Sequence, residues 1–465
     1  MMSIKFENIK QVYLIGIGGI GMSALARYFS HQGLLVAGYD CTETPLTQQL
    51  VKEGINIHFE DNVQLIPSEF VNDPSKTLII YTPAVPNHHT ELNYFISNKY
   101  EVVKRAKALG AIASSYSTAA VAGTHGKTST SSLLAHLLSF TPQGCNAFLG
   151  GISKNLNSNL LLKEGTTRLV VEADEFDRSF LNLNPNIAIV TSVDADHLDI
   201  YKAHEDVVNA FVEFVSKIPS GGTLIVKKGI EFISKNRNDI TVFTYSANEP
   251  ADFCIDNLTN SKGYFSFNLI TPNGIIKNLT LGVLGKYNVE NAIAASAAAL
   301  QWGIEHTDLA KGLESFKGIS RRFDLQHLGN KYVYIDDYAH HPEEIKAAIG
   351  SVKEMFPSRK ITGIFQPHLY SRTKDFANEF AESLSLLDSL VLLDIYPARE
   401  EPIEGVTSEI ILNKVTCEKK ILCSLKNAME IIDKQDIDVL LTMGAGNIDK
   451  LVNSITAMLK HKEEK

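Results

Sequence analysis

Ala120-Val121-Ala122-Gly123-Thr124-His125-Gly126-Lys127-Thr128-Ser129-Thr130 closes a short apolar run and leads into an apolar helical stretch over 131–139. A strand that ends in glycines and continues into a helix presents free backbone N–H groups, and phosphates bind there. Lys127 adds a point charge suited to β/γ oxygens, and the Thr128 hydroxyl is an oxygen donor for Mg²⁺. Valine stands at position 121, where a strict phosphate-loop pattern has glycine. Gly123, Thr124, His125, Gly126, Lys127, Thr128 and Ser129 are therefore the candidate nucleotide contacts.

Further apolar runs at 12–17, 77–81, 169–172, 187–191, 332–335 and 439–442 alternate with helical patterns. This alternation implies βαβ units and largely parallel sheets, an α/β fold whose ligands sit at the carboxyl ends of strands. With 465 residues, about 150 per domain gives three domains. Their expected limits are 1–114, 115–320 and 321–465. The last begins after an Ala-rich helix over 291–302 that Gly303 terminates.

The formal charge of -9 and a pI near 5.9 argue against a nucleic-acid binder, which needs clustered Lys and Arg. Cys41, Cys145, Cys254, Cys417 and Cys423 are scattered and form no CxxC pair, so a reducing compartment is expected. No stretch approaches the roughly 18 apolar residues of a membrane span, and the start of the chain has no apolar signal core. A soluble, cytoplasmic protein without membrane insertion is the expectation.

A second glycine turn, Gly16-Ile17-Gly18-Gly19-Ile20-Gly21, lies between an apolar run and a helical stretch over 22–30. Its N–H groups suit a diphosphate, and Asp40, ending the next strand, is placed to bond a ribose or base. Alone, this turn would suggest a nicotinamide dehydrogenase, but the phosphate loop would then be unexplained.

Two acidic strand ends follow the phosphate loop: Glu172-Ala173-Asp174-Glu175 and Asp194-Ala195-Asp196-His197-Leu198-Asp199. Both belong to its expected domain, so Glu172 and His197 can reach one cation, although His is an unusual ligand for Mg²⁺. In the third block, Asp336-Asp337-Tyr338-Ala339-His340-His341 and Gln366-Pro367-His368-Leu369-Tyr370-Ser371-Arg372 end strands in polar clusters suited to anions.

In order along the chain, GIGGIGMSALA, AGTHGKTSTSS, EADEFDRSFL, DADHLD, GKYNVENA, GISRRFD, DDYAHHPEE and QPHLYSRT resemble the Mur ligase family over nearly the whole sequence. The resemblance implies a Rossmann-like first domain that binds a UDP-sugar, a central P-loop ATPase-like domain and a Rossmann-like third domain for the amino acid. It implies ATP and Mg²⁺ as cofactors, with UDP-N-acetylmuramate and L-alanine as substrates, joined through an acyl phosphate in peptidoglycan synthesis.

By the same resemblance, Lys127 meets the γ-phosphate, and Thr128, Glu172 and His197 hold the metal. Asn291 contacts adenine, and Arg322 and Asp337 meet ATP. His340 and Arg372 lie near the muramyl carboxylate and the amino acid, while Gly16, Gly18, Gly19, Ile20, Gly21 and Asp40 hold the UDP-sugar. Tyr287 stands where relatives often carry His, and Leu369 where some carry Arg. A monomer or weak homodimer is expected. The alternatives are a sibling ligase that attaches a whole peptide to the same sugar, whose first loop typically departs from GIGGIGM, and a P-loop nucleotide switch, which leaves the outer blocks idle.

Overall fold

The computed structural model describes residues 6–194, 204–261, 263–398 and 400–464. Their strands form three sheets. The first contains β1 (Gln11–Ile15), β2 (Leu35–Tyr39), β3 (Asn56–His58), β4 (Thr77–Tyr81) and β5 (Glu101–Lys104), ordered β3-β2-β1-β4-β5 and parallel throughout. Chain order reverses at β1, so the turn Gly16–Gly21 lies at the switch point where doubly wound sheets bind ligands. Val12, Tyr13, Leu14 and Ile15 are fully buried, as befits a central strand covered on both faces.

The second sheet comprises β6 (Ser117–Ala122), β7 (Asn146–Ser153), β8 (Ser158–Leu161), β9 (Arg168–Glu172), β10 (Ile187–Val190), β11 (Thr223–Lys227), β12 (Thr241–Ser246), β13 (Phe253–Ser261), β14 (Tyr264–Thr271) and β15 (Gly274–Leu284). Its order is β15-β14-β13-β12-β11-β10-β6-β9-β7-β8. Pairing is parallel from β13 through β7, with β8 antiparallel at the edge. β6 lies between β10 and β9, so the phosphate loop opens beside the ends of both neighbours.

The third sheet holds β16 (Asp324–Leu328), β17 (Val333–Asp337), β18 (Ile361–Phe365), β19 (Ser389–Leu393), β20 (Lys419–Cys423) and β21 (Val439–Met443). The order is β16-β17-β21-β18-β19-β20, with only β16 antiparallel. The α/β class and its parallel cores thus match the pattern of apolar runs. Two compact units result: one contains the chain to Thr259 with Ser266–Gly282 and Val289–Lys317, the other Asn260–Phe265, Val283–Asn288 and Gly318 onward.

The Ala-rich helix spans Lys286–Gln301, starting a turn and a half earlier than its alanines suggest. Gly303 ends it at φ +76°, with Gly303 N–H donating to Leu300 O and Ile304 N–H to Ala299 O, a left-handed stop that costs glycine little. Among the described residues, no helix is long and apolar enough to cross a membrane.

Candidate active site

The phosphate loop starts where β6 ends. Gly123 (φ +135°) and Gly126 (φ +82°) adopt backbone angles that L side chains rarely reach, and a β-carbon on Gly123 would fall 2.0 Å from Thr191 Oγ1. The helix Lys127–Leu138 follows directly. Its first N–H groups have no partner within the helix and face the loop, which makes an anion site. Thr124 Oγ1 bonds Ser192 Oγ at 2.7 Å, and His125 N–H donates to the same oxygen at 2.9 Å, tying the loop to the end of β10.

Lys127 Nζ donates to Gly123 O at 2.6 Å and Glu175 Oε1 at 2.8 Å. Glu175 is only 1% exposed. Burial works against the ammonium, yet Glu175, Asp174 and Glu172 outweigh it and hold the lysine charged above its ordinary range.

Glu172 ends β9 with Oε2 accepting from Gly150 N–H at 3.1 Å. A β-carbon at Gly150 would lie 2.1 Å from that oxygen, so the carboxylate needs glycine there. Thr128, the second residue of the helix that follows the loop, is buried. A hydroxyl and a carboxylate are the hard oxygen donors Mg²⁺ prefers. His197, the third expected ligand, lies outside the described residues, and no group of three metal-binding side chains occurs among those described.

Asn291 reaches the loop from the Ala-rich helix: Thr130 Oγ1 donates to its Oδ1 at 3.3 Å, and the same oxygen lies 2.7 Å from where a β-carbon on Gly126 would stand. In this structure its amide braces the phosphate loop.

The turn Gly16–Gly21 shares this compact unit. Gly16 adopts φ +84°, and Gly19 caps the helix Ile20–His31. Asp40 Oδ2 accepts from Gly18 N–H at 2.8 Å and its Oδ1 from Thr42 N–H at 3.2 Å. A short polar side chain at a strand end satisfies the nearest backbone donor, and here that donor is the glycine turn itself. Arg105 packs against Gly21 and approaches Asp174 at 3.7 Å, bridging the glycine turn and the acidic loop.

The other unit gathers Arg322, Asp337, His340 and Arg372. Pro342 and Glu344 open the helix Pro342–Met355, and Glu344 Oε2 accepts from the N–H groups of His340 (2.9 Å) and His341 (3.2 Å). His340 Nδ1 faces Tyr338 O at 3.0 Å. Burial holds His340 below its ordinary value, while Glu344, against its own burial, is kept down at about 2 by His340 and these N–H groups.

Asp337 is pushed up to about 6 by burial, with Arg322 opposing. Its Oδ2 accepts from Phe323 N–H at 2.7 Å. Arg321 and Arg322 both lie against the Tyr338 ring, at 5.1 and 5.0 Å. Arg321 also bonds Gly444 O and pairs with Asp336 at 3.5 Å, so it braces the sheet, while the charge of Arg322 bears on Asp337. Arg372 sits in the helix Tyr370–Asp375 and its charge bears on His340. Leu369 precedes that helix at φ +71°, a strained angle for a leucine, and Tyr287 packs edge-on against Phe323.

Glu175, Gly150, Arg105 and Glu344 join these sites without having been assigned from sequence. Glu175 lies in the same acidic run as Glu172, and Glu344 has a local signal in the helix cap it forms three residues after His341; Gly150 and Arg105 carry none, because their roles depend on neighbours distant in the chain.

The sequence matches the Mur ligase family catalytic domain over residues 11–117, the Mur ligase middle domain over 121–299 and the Mur ligase glutamate ligase domain over 321–446. The chain belongs to the Mur ligase family. It is 51% identical to the UDP-N-acetylmuramate–L-alanine ligase of Parabacteroides distasonis, across 97% of this chain and 98% of that one. The structure resembles the UDP-N-acetylmuramate-alanine ligase of Thermotoga maritima, with TM-score 0.81, 26% identity and coverage of 97% and 99%. It shares its fold with a murein peptide ligase of Psychrobacter arcticus, at TM-score 0.70, 22% identity and coverage of 97% and 98%.

Proposed function

We propose that this chain joins L-alanine to the carboxylate of UDP-N-acetylmuramate at the expense of ATP, an early step of peptidoglycan synthesis in the cytoplasm. The observation that carries this reading is the presence, on one compact unit, of a glycine turn without a lysine and a phosphate loop whose Lys127 is held by Gly123 O and Glu175. A UDP-sugar has a diphosphate for the first, and ATP has a triphosphate for the second. The 51% identity to an alanine-adding relative supports alanine over a peptide as the acceptor amine.

In domain terms, 1–114 holds the UDP-sugar, 115–320 holds ATP and 321–465 holds the amino acid. Gly16, Gly18, Gly19, Ile20 and Gly21 cradle the diphosphate, with Asp40 yielding or sharing the Gly18 N–H. Gly123 to Ser129 cradle ATP, with Asn291, Arg322 and Asp337 as further contacts. His340 and Arg372 face the reacting carboxylate and alanine. Thr128, Glu172 and His197 would hold Mg²⁺, which supplies charge neutralisation on the phosphates when bound. The protein acts as a monomer or weak homodimer.

A carboxylate is a poor electrophile, so activation comes first. A carboxylate oxygen attacks the γ-phosphorus, the bond to ADP breaks, and an acyl phosphate forms. The alanine nitrogen then attacks the carbonyl carbon, inorganic phosphate leaves, and the nitrogen gives up its proton. Phosphoryl transfer depends mainly on positioning and charge stabilisation, and Lys127 and Arg322 supply both. No side chain needs to become covalently attached.

A coupled assay of ADP release across UDP-sugars and amino acids tests this. Turnover that requires both UDP-N-acetylmuramate and L-alanine is expected. Turnover with a tripeptide in place of alanine would shift the assignment to the sibling ligase.

A further inference from the structure

We infer that Glu175 is a positioning residue for Lys127, fixing its ammonium at the mouth of the phosphate loop throughout phosphoryl transfer. This rests on the reading that the loop binds ATP, and assigns a role to a residue outside the metal and phosphate ligands. Lysine is a point charge on a flexible four-carbon stem, and undirected it spreads over many rotamers. Here two donors are committed in different directions, to Gly123 O at 2.6 Å and Glu175 Oε1 at 2.8 Å, while Thr124 O is a poor partner at 3.5 Å. One N–H is thereby left for a phosphoryl oxygen.

The carboxylate is itself held rigidly. Ala173 N–H donates to Val121 O at 2.8 Å, joining the acidic loop to the strand that carries the phosphate loop. Beyond Glu175, Arg178 N–H returns to Glu175 O at 2.9 Å and Phe180 N–H to Asp174 O at 2.9 Å. Phe180 is buried and stacked on Phe214 at 4.9 Å. Glu172, which opens this run, is directed instead to Gly150 N–H. The two acids divide the work: one faces the expected metal, the other the lysine.

The test compares Glu175→Gln and Glu175→Ala with the wild type in ADP release, measuring kcat and each KM. Wild type without alanine-dependent turnover would refute the proposed function itself, separately from this inference. Given an active wild type, Glu175→Gln should lose about tenfold or more in kcat, since a displaced catalytic charge costs on this order. Glu175→Ala should lose more, because the amide still accepts one N–H and alanine accepts none. The KM values for UDP-N-acetylmuramate and alanine should stay within about threefold, as neither substrate touches the pair. A kcat within about threefold of wild type in both variants, or a loss carried by the UDP-sugar KM, overturns the role. A crystal structure of the wild type with Mg²⁺ and a non-hydrolysable ATP analogue needs no variant. There Lys127 Nζ should touch the γ-phosphate while still bonded to Glu175; a lysine swung out of hydrogen-bond reach of Glu175 overturns the proposal.

Discussion

The two strand-glycine-helix turns of one compact unit are alike in backbone and opposite in how they treat a nearby carboxylate. At Gly16–Gly21, Asp40 takes the Gly18 N–H for itself. At Gly123–Lys127, Glu175 takes the lysine, and no side chain caps the start of the helix. The first turn is closed by an acid, which the diphosphate of the proposed function would displace or share. The second is primed by an acid that organises the cation. A glycine pattern therefore specifies an anion site, while the carboxylate that folds back on it decides how the site is held.

The sharpest way to break this contrast is Lys127→Ala. Turnover should fall by about 10² to 10³ or more, because a preorganised charge at the transferring phosphoryl is lost. Glu175 would then be buried without its cation, and breaking such a pair costs about 3–5 kcal/mol. Thermal melting should show that loss, and Lys127→Ala/Glu175→Gln should recover part of it. Near-normal ADP release by Lys127→Ala would remove the lysine from the chemistry.

Gly123→Ala comes next. Its backbone is at φ +135° and the added carbon meets Thr191 Oγ1, so the loop must shift, and an ångström of misplacement costs on the order of 10² in rate. The effect should fall on ATP turnover and leave UDP-sugar binding alone. Gly18→Ala should act on the other substrate and more mildly, because the added carbon meets the Asp40 and Thr47 side chains, at 2.8 and 2.7 Å, and side chains can give way. A rise of about tenfold in the UDP-sugar KM, equal to about 1.4 kcal/mol, is expected, with the ATP KM unchanged.

The smallest effect concerns stability under the first turn. Glu91 is fully buried with Tyr13 Oη donating to it at 2.7 Å, and burial pushes it up to about 7 despite that bond. A carboxyl raised this way contributes stability below its unfolded pKa, and loses it as pH rises through about 7. Between pH 4.5 and 7, Glu91→Gln should flatten a decline on the order of 2 kcal/mol in unfolding free energy. An identical pH dependence in both proteins would assign it elsewhere.

The legible parts of the molecule share one property: their function lies in the backbone. Glycines before a helix, apolar runs in alternation and Gly303 after the alanines follow from local geometry, so the parallel α/β sheets and the backbone form of both strand-glycine-helix turns could be read from sequence. Side-chain networks could not. Glu175 and Lys127 are 48 residues apart, and of the adjacent Arg321 and Arg322, both against the Tyr338 ring, only the fold reveals that Arg321 is the one bonded to Gly444 O and paired with Asp336. The place of Asp40 at a strand end is legible, but its bond to Gly18 N–H, 22 residues away, is not.

Calorimetric titration of UDP-N-acetylmuramate and of NAD into the wild type, Gly18→Ala and Lys127→Ala tests the division of labour between the two turns most directly. Saturable UDP-sugar binding is expected, weakened by Gly18→Ala and kept by Lys127→Ala, with no response to NAD. Saturable NAD binding, or a UDP-sugar affinity that falls with Lys127→Ala and not with Gly18→Ala, would contradict it.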